Sequence, residues 1–309
     1  MTRPDIGVIL PRNIAPARVR EFALRAEALG FDELWVVEDL GFRGGIAQAG
    51  AVLAWTERIR VGLGILPAGA RNAAFGAMEL ATLAQLFPGR LHAGIGHGMP
   101  EWMRSVGAWT DRPLRTLDTH VTTLRTLLRG DAIAGGVRLD ASSVPADPPP
   151  LLLGVRGPRS LALSGRIADG TVLAEPVTPE YARAAVERIG VASGHRLVAY
   201  NVGSVDADAA AALAAARPAL AWIGEPGWAP HIDPLPFAAE FHALRARSAS
   251  REEFAQALPD EWVAQLALAG TPAQVRARID ELAAAGVHSS VFAPLGDPVA
   301  ALESLAAVL

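Results

Sequence analysis

Short, nearly uninterrupted apolar runs, each followed by an amphipathic stretch, recur along almost the whole chain, and this alternation constrains the fold more than any other feature. The runs are "DIGVIL" from Asp5, "ELWVV" from Glu33, "IRVGLGI" from Ile59, "RLHAGI" from Arg90, "LLLGV" from Leu151, "GTVLA" from Gly170, "RLVAYNV" from Arg196 and "SSVFA" from Ser289. Continuous rather than alternating hydrophobicity is the pattern of strands covered on both faces, as in a parallel sheet. The stretches between them are helical. Val19, Phe22, Ala23 and Ala26 share one face, as do Leu117, Val121, Leu124 and Leu128, and Val275, Ile279 and Leu282.

Helix boundaries repeat one chemistry. Thr178-Pro179, Thr271-Pro272 and Asp297-Pro298 each place a capping side chain before a proline at the first helical position. Gln274 can complete a capping box with Thr271, and Gly30 and Gly286 are expected to close helices. Eight strands with right-handed crossovers predict a (β/α)8 TIM barrel; an open doubly wound sheet is the alternative. The 309 residues exceed the roughly 250 of a plain barrel. The excess falls at about 206–269, between strands seven and eight, and is expected to be a helical insertion within a single domain spanning 1–309. "VPADPPP", from Val144, is a loop feeding strand five.

Composition removes whole classes of chemistry. There is no cysteine, and all 28 basic residues are arginine. Thiolate nucleophiles, cysteine metal sites, lysine Schiff bases and Walker-type phosphate loops are thereby excluded. A formal charge of -4 lacks the basic excess of a nucleic-acid binder. No apolar stretch approaches a membrane span, and "MTRPDIGVILPRN" is too short in its apolar part for a signal peptide, so a cytoplasmic location is expected.

In a barrel the working groups lie just past the strands. Glu38 and Asp39 there could move a proton or recognise a hydroxyl, or could simply pair with arginines such as Arg43. Glu101 and Glu175 are further acid/base candidates. "GIGHG" from Gly94 invites comparison with a dinucleotide loop, but Met99 stands where the third glycine belongs and Pro100 interrupts. Its glycines could let a flat group or a phosphate approach the backbone, or form a plain turn. His97 could donate a proton, could bind a cofactor through a hydrogen bond, or could be merely solvated. "GVRGPRS" from Gly154 opens a helix with Arg156 and Arg159 and could seat an anion. His92 and His97 do not have metal-pair spacing, and no metal is expected.

Four segments together resemble the bacterial luciferase-like superfamily, in particular its coenzyme F420-dependent branch, which includes methylenetetrahydromethanopterin reductase. They are "ALGFDELWVVEDL" from Ala28, "RVGLGILPAGARN" from Arg60, "AGIGHG" from Ala93 and "GVRGPRSLALSGRIADGTVLAEP" from Gly154. The resemblance implies a barrel with a late insertion, a non-prolyl cis peptide at Gly64–Ile65 against a cofactor ring, Gly96 and Gly98 lining that cofactor, and a phosphate seat at Val155, Arg156 and Gly157. Arg159 and Glu175 are grouped with these as cofactor-binding, and Asp39 matches the polar position after strand two. In two places the chain departs from many relatives: Leu40 follows Asp39 where they carry histidine, and His97 stands where proline is frequent. The implied activity is hydride transfer between the deazaflavin C5 and a small organic substrate, with Asp39, Glu38, Glu101 or His97 handling the proton, in a homodimer. An FMN-dependent monooxygenase supplied by a separate flavin reductase is the alternative, and a non-catalytic flavin-binding protein a further one.

Overall fold

A computed structural model describes residues 3–191 and 193–309. Its strands and helices alternate: β1 (Asp5–Ile9), α1 (Val19–Leu29), β2 (Glu33–Val36), α2 (Gly45–Trp55), β3 (Arg60–Pro67), α3 (Ala73–Leu86), β4 (Leu91–Gly96), α4 (Pro100–Ser105), α5 (Pro113–Leu128), β5 (Leu151–Gly154), α6 (Pro158–Ile167), β6 (Gly170–Leu173), α7 (Pro179–Ile189) and β7 (Arg196–Val205). After β7 come five helices, α8 (Ala209–Ala216), α9 (Ala229–Ile232), α10 (Ala238–Arg247), α11 (Arg251–Gln256) and α12 (Asp260–Leu266), with 3-10 turns among them. The chain ends with β8 (Leu268–Gly270), α13 (Pro272–Ala284), β9 (Ser289–Pro294) and α14 (Pro298–Ala306).

Strands β1 to β7 pair in order and in parallel, and β9 pairs with both β7 and β1, closing an eight-stranded barrel. The closure is visible in the register, where Ser289 lies opposite both Asp5 and Val198. The run at Ser289 is therefore the eighth barrel strand, as read from the sequence. The three-residue β8 was not foreseen; it pairs only with the far end of β7, Gly203 to Val205, outside the ring.

The helix faces follow the sequence periodicity. Val19, Phe22, Ala23 and Ala26 of α1 are buried, as are Leu117, Val121, Leu124 and Leu128 of α5. Each large side chain so removed from water contributes about 1.5–3 kcal/mol before entropy is counted. Thr178, Thr271 and Asp297 cap their helices through their side chains, and Thr271 with Gln274 forms the full capping box. Gly30 takes φ +94 at the end of α1, a conformation open to glycine at little cost.

The barrel interior is filled from below upward. At its floor Glu33 is fully buried and accepts from Trp35 Nε1 at 2.9 Å and Ser289 Oγ at 2.6 Å. Arg60 and Arg196 pair with Glu33 and Asp5, and His92 stands 3.7 Å from the Glu33 carboxylate. Above this charged plug lie Trp35, Leu152, Val172, Val198, Tyr200 and Val291. Gly62 has no side chain because the Trp35 ring occupies its place: a Cβ there would come within 2.2 Å of the indole. The helices after β7 have a buried cluster of their own, including Leu220, Phe241, Phe254 and Val263.

Candidate active site

The carboxyl end of the barrel is shaped by β3. Its register against β4 slips between Leu63 and Leu66, and the Gly64–Ile65 peptide within the slip is cis, as the family resemblance implies. The Ile65 side chain then folds onto the neighbouring strands. A Cβ would fall 3.2 Å from Ile65 Cγ2 at Gly94, 2.9 Å from its Cδ1 at Gly96 and 2.3 Å from its Cγ2 at Gly154. The alternating glycines of β4 thus make room first for neighbouring backbone, the Leu63 carbonyl at 2.2 Å from a Cβ on Gly94 and the Gly154 carbonyl at 2.8 Å from one on Gly96, and then for Ile65. Gly98 has φ +72, and a Cβ there would meet the Met103 side chain at 2.9 Å. Below the bulge, Tyr200 packs on Gly64, where a Cβ would lie 2.0 Å from its hydroxyl. That hydroxyl is buried without a hydrogen-bond partner among the described residues. Burial pushes its pKa well up, and the Glu33 and Glu175 carboxylates push it further.

The two carboxylates after β2 have different surroundings. Glu38 takes both Arg71 nitrogens, at 2.8 and 3.1 Å, and accepts from the Gly45 backbone N–H at 2.7 Å at the start of α2. Asp39 pairs with Arg12 at 2.6 Å, and the Arg12 guanidinium lies 4.8 Å from the Phe42 ring centroid. Arg43, suggested as a partner from the sequence, instead donates to the Ile14 carbonyl. Its nearness to Glu38 in sequence was no guide, because Arg71 arrives from the neighbouring βα loop. Glu175 follows β6, and its pKa is raised, first by burial and then by the Asp39 charge, with Arg156 and Arg12 opposing. The mouth thus holds one carboxyl group biased toward its neutral form beside one paired carboxylate.

Arg156 stands between β5 and α6. Its guanidinium donates to the Gly227 carbonyl at 3.2 Å and lies 4.5 Å from the Trp228 ring centroid, with the Met99 sulfur 3.9 Å away. It pairs with no carboxylate among the described residues, and burial lowers its pKa. Next to it Gly157 begins α6 with no side-chain cap, and a Cβ at Gly157 would meet nothing within 4 Å. A partly buried cation, uncapped backbone N–H groups and open space are thus adjacent. Val155 is buried under this corner, while Arg159 points to solvent. The insertion grips the same corner: Trp228 Nε1 donates to the Glu175 carbonyl at 2.9 Å, and His231 Nδ1 lies 3.0 Å from the Pro176 carbonyl. Glu175–Pro176 is itself cis.

Of the remaining candidates, His97 is part of the frame. Its Nε2 is 3.2 Å from Ser160 Oγ on α6, and burial lowers its pKa while a bond to the Pro113 carbonyl opposes this. Glu101 is exposed on the first turn of α4 and does not join Asp39 and Glu175. Asn201 clamps the loop after β6 by bonding both to the N–H and to the carbonyl of Val177. Arg71, Trp228 and Tyr200 escaped the sequence reading. Trp228 lies in "EPGWAP", whose proline and glycine signal a turn but give no direction for the indole. No cluster of three or more histidine or acidic residues able to hold a metal occurs among the described residues.

Comparison with known proteins agrees with this architecture. A curated relative, the 5,10-methylenetetrahydromethanopterin reductase of Methanolobus tindarius, is 28% identical over 301 residues, covering 90% of this chain and 91% of the relative. The F420-dependent glucose-6-phosphate dehydrogenase of Nakamurella multipartita is 31% identical over 185 residues, covering 54% of this chain and 55% of that protein. Among solved structures, the coenzyme F420-dependent tetrahydromethanopterin reductase of Methanopyrus kandleri superposes with a TM-score of 0.82 at 21% identity, over 99% of this chain and 98% of the other. The family model described as luciferase-like monooxygenase matches residues 2–289. The chain belongs to the luciferase-like monooxygenase family.

Proposed function

We propose that the chain is an oxidoreductase that binds coenzyme F420 at the carboxyl end of its barrel and uses it on a small organic substrate. The observation that carries this reading is the corner formed by Arg156, Gly157 and the uncapped start of α6, set on the same rim as the Ile65 bulge. An unpaired, partly buried guanidinium beside free N–H groups suits a phosphate, and an aliphatic shelf suits one face of a planar ring. The curated relative and the solved structure named for F420 support the same cofactor. When bound, the deazaflavin supplies hydride chemistry at C5.

The chain's own residues then have distinct tasks. Ile65 supports the ring, while Arg156, Val155 and Gly157 hold the tail, with the Gly96 and Gly98 backbone nearby. Asp39 and Glu175 face the mouth from β2 and β6 and are the groups suited to hold or pass a proton there. Glu38, committed to Arg71 and to the Gly45 N–H, positions the β2 and β3 loops. The insertion, through Trp228, closes one side and limits water.

An assembly of two chains fits the surface. Phe75, Met78 and Leu86 on one face of α3 are 66%, 53% and 65% exposed, an apolar stripe suited to a second copy. One rival is a monooxygenase, as the family description has it, with FMN as in a solved monooxygenase of the same fold; oxygen would be the co-substrate and a separate reductase would supply the reduced flavin. Titration with F420 and FMN, followed by ring fluorescence, separates them. Tight binding of FMN with none of F420 overturns the proposal, as does turnover that stops without oxygen.

A further inference from the structure

We propose that His97 is a positioning residue for the oxyanion seat at the start of α6: acting on Ser160, it sets which way a hydroxyl there donates. The inference rests on the reading of the Arg156 corner as that seat. Pro158 has no N–H, and the Leu161 N–H is already bonded to the Gly157 carbonyl at 2.9 Å. The backbone donors left inside the first turn are those of Arg159 and Ser160. Ser160 also carries a hydroxyl, and its oxygen lies 3.2 Å from His97 Nε2. His97 stands between Gly96 and Gly98 where the chain leaves β4, so it joins the two segments assigned to the cofactor.

A serine hydroxyl has one proton to give. The His97 ring also bonds to the Pro113 carbonyl, which can only accept, so an N–H is committed there and a neutral ring meets Ser160 with a lone pair. Burial favours that neutral ring. The Ser160 proton then points at His97, and the hydroxyl turns lone pairs toward the seat, where they repel an anion. To donate to an oxyanion the hydroxyl must rotate, which leaves two lone pairs opposed across the same 3.2 Å. A proton taken from solvent onto Nε2 removes the conflict. The imidazolium N–H then donates to the Ser160 oxygen, the Ser160 O–H donates to the oxyanion, and a second positive charge joins that of Arg156.

Anion binding and protonation of His97 thus favour one another. A bound oxyanion raises the ring's pKa from a free value that burial holds below its ordinary one. Well above both values the ring is neutral with or without ligand. As the pH falls through the liganded value affinity rises, and it levels off once the free ring is protonated too. No charged side chain among the described residues takes part in the balance at His97. Arg112 before Pro113 and Arg159 beside Ser160 keep their charge throughout, and Glu101 on α4 is exposed. A histidine that merely tied the β4 loop to α5 and α6 would show no such linkage.

The test follows the His97 ring of the full chain by nuclear magnetic resonance from about pH 8 to about pH 5. It compares the chain alone, with inorganic sulfate, whose charge is constant over that range, and with F420. F420 affinity is measured over the same range in wild type, Ser160→Ala and His97→Gln, an amide that hydrogen-bonds but takes up no proton. Both ligands are expected to raise the pH at which His97 titrates. On acidification the affinity of wild type relative to His97→Gln should grow by about fivefold or more. Taking the ratio removes any titration of F420 itself. Ser160→Ala should follow His97→Gln. A His97 titration unmoved by bound F420 overturns the inference and leaves the cofactor reading standing. A loss of affinity that is equal at every pH in both variants overturns it too, since a structural link behaves that way. If F420 does not bind wild type, the cofactor reading falls, and the sulfate response alone then decides for or against the His97–Ser160 relay.

Discussion

The guanidinium of Arg156 lies 4.5 Å from the centre of the Trp228 ring, so a cation supplied by the β5–α6 corner is held in place by the insertion. A partly desolvated pair of this kind contributes about 1–2 kcal/mol. It keeps the guanidinium oriented without neutralising it, which a carboxylate in the same place would do.

Arg156→Gln is therefore expected to weaken F420 binding about ten- to hundredfold, the cost of one charge-assisted contact. Stability should fall by no more than the roughly 1–2 kcal/mol of the Trp228 contact, because Arg156 forms no ion pair among the described residues. Fluorescence titration alongside circular dichroism checks both halves. Undiminished affinity would place the phosphate seat elsewhere.

Glu38 and Asp39 should separate by phenotype. Glu38→Gln weakens a bidentate pair with Arg71 and a helix-start bond to Gly45, and should cost about 1–2 kcal/mol of stability in urea unfolding. Asp39→Asn loses only a pair with the half-exposed Arg12 and should be close to neutral in stability. If Asp39 handles a proton, its replacement should instead lower kcat by about a hundredfold or more. Equal kcat in wild type and Asp39→Asn removes it from that role.

The barrel floor makes a prediction about stability alone. Glu33→Gln removes the buried one of the two carboxylates shared by Arg60 and Arg196, leaving them Asp5, and is expected to cost about 1–3 kcal/mol. F420 affinity of the folded fraction should not change, since Glu33 begins β2 and the mouth lies beyond its other end.

Stability should also fall on mild acidification. Burial holds His231 neutral down to about 3 and depresses His92 in the same direction. In the unfolded chain both titrate near the ordinary value of about 6.5. Below that value the unfolded state binds more protons than the folded one. The stability these groups supply above pH 6.5 is lost as the pH drops toward their folded values. Urea midpoints at pH 7 and pH 5 measure the loss, and His231→Asn should reduce the difference between them.

What could be read from the sequence was whatever is encoded locally. The α1 and α5 faces, the Thr271–Gln274 box and the eight barrel runs depend on residues within a turn or two of one another. β8 was missed because three residues carry no period, and their pairing to Gly203–Val205 is set by the fold. The floor network joins Asp5, Glu33, Arg60 and Arg196, which meet only because each begins a strand. Charge alone names neither the partner of Glu38 nor the cation left unpaired at Arg156. The glycines of β4 were legible as places where something comes close. That the something includes Ile65 was not, since its direction depends on the register slip in β3.

The packing around Ile65 has a consequence for how the site can change. Gly154 is kept bare by Ile65, and Gly94 and Gly96 by that side chain together with the Leu63 and Gly154 carbonyls, so the four positions form a single mechanical unit spread over three strands. A methyl group added at Gly154 would displace Ile65, and a larger residue at 65 would press on all three glycines together. Substitutions at these sites should be strongly non-additive in pairs. The shelf offered to a planar ring can then be recut only by coordinated replacements, while the loops around it vary one residue at a time.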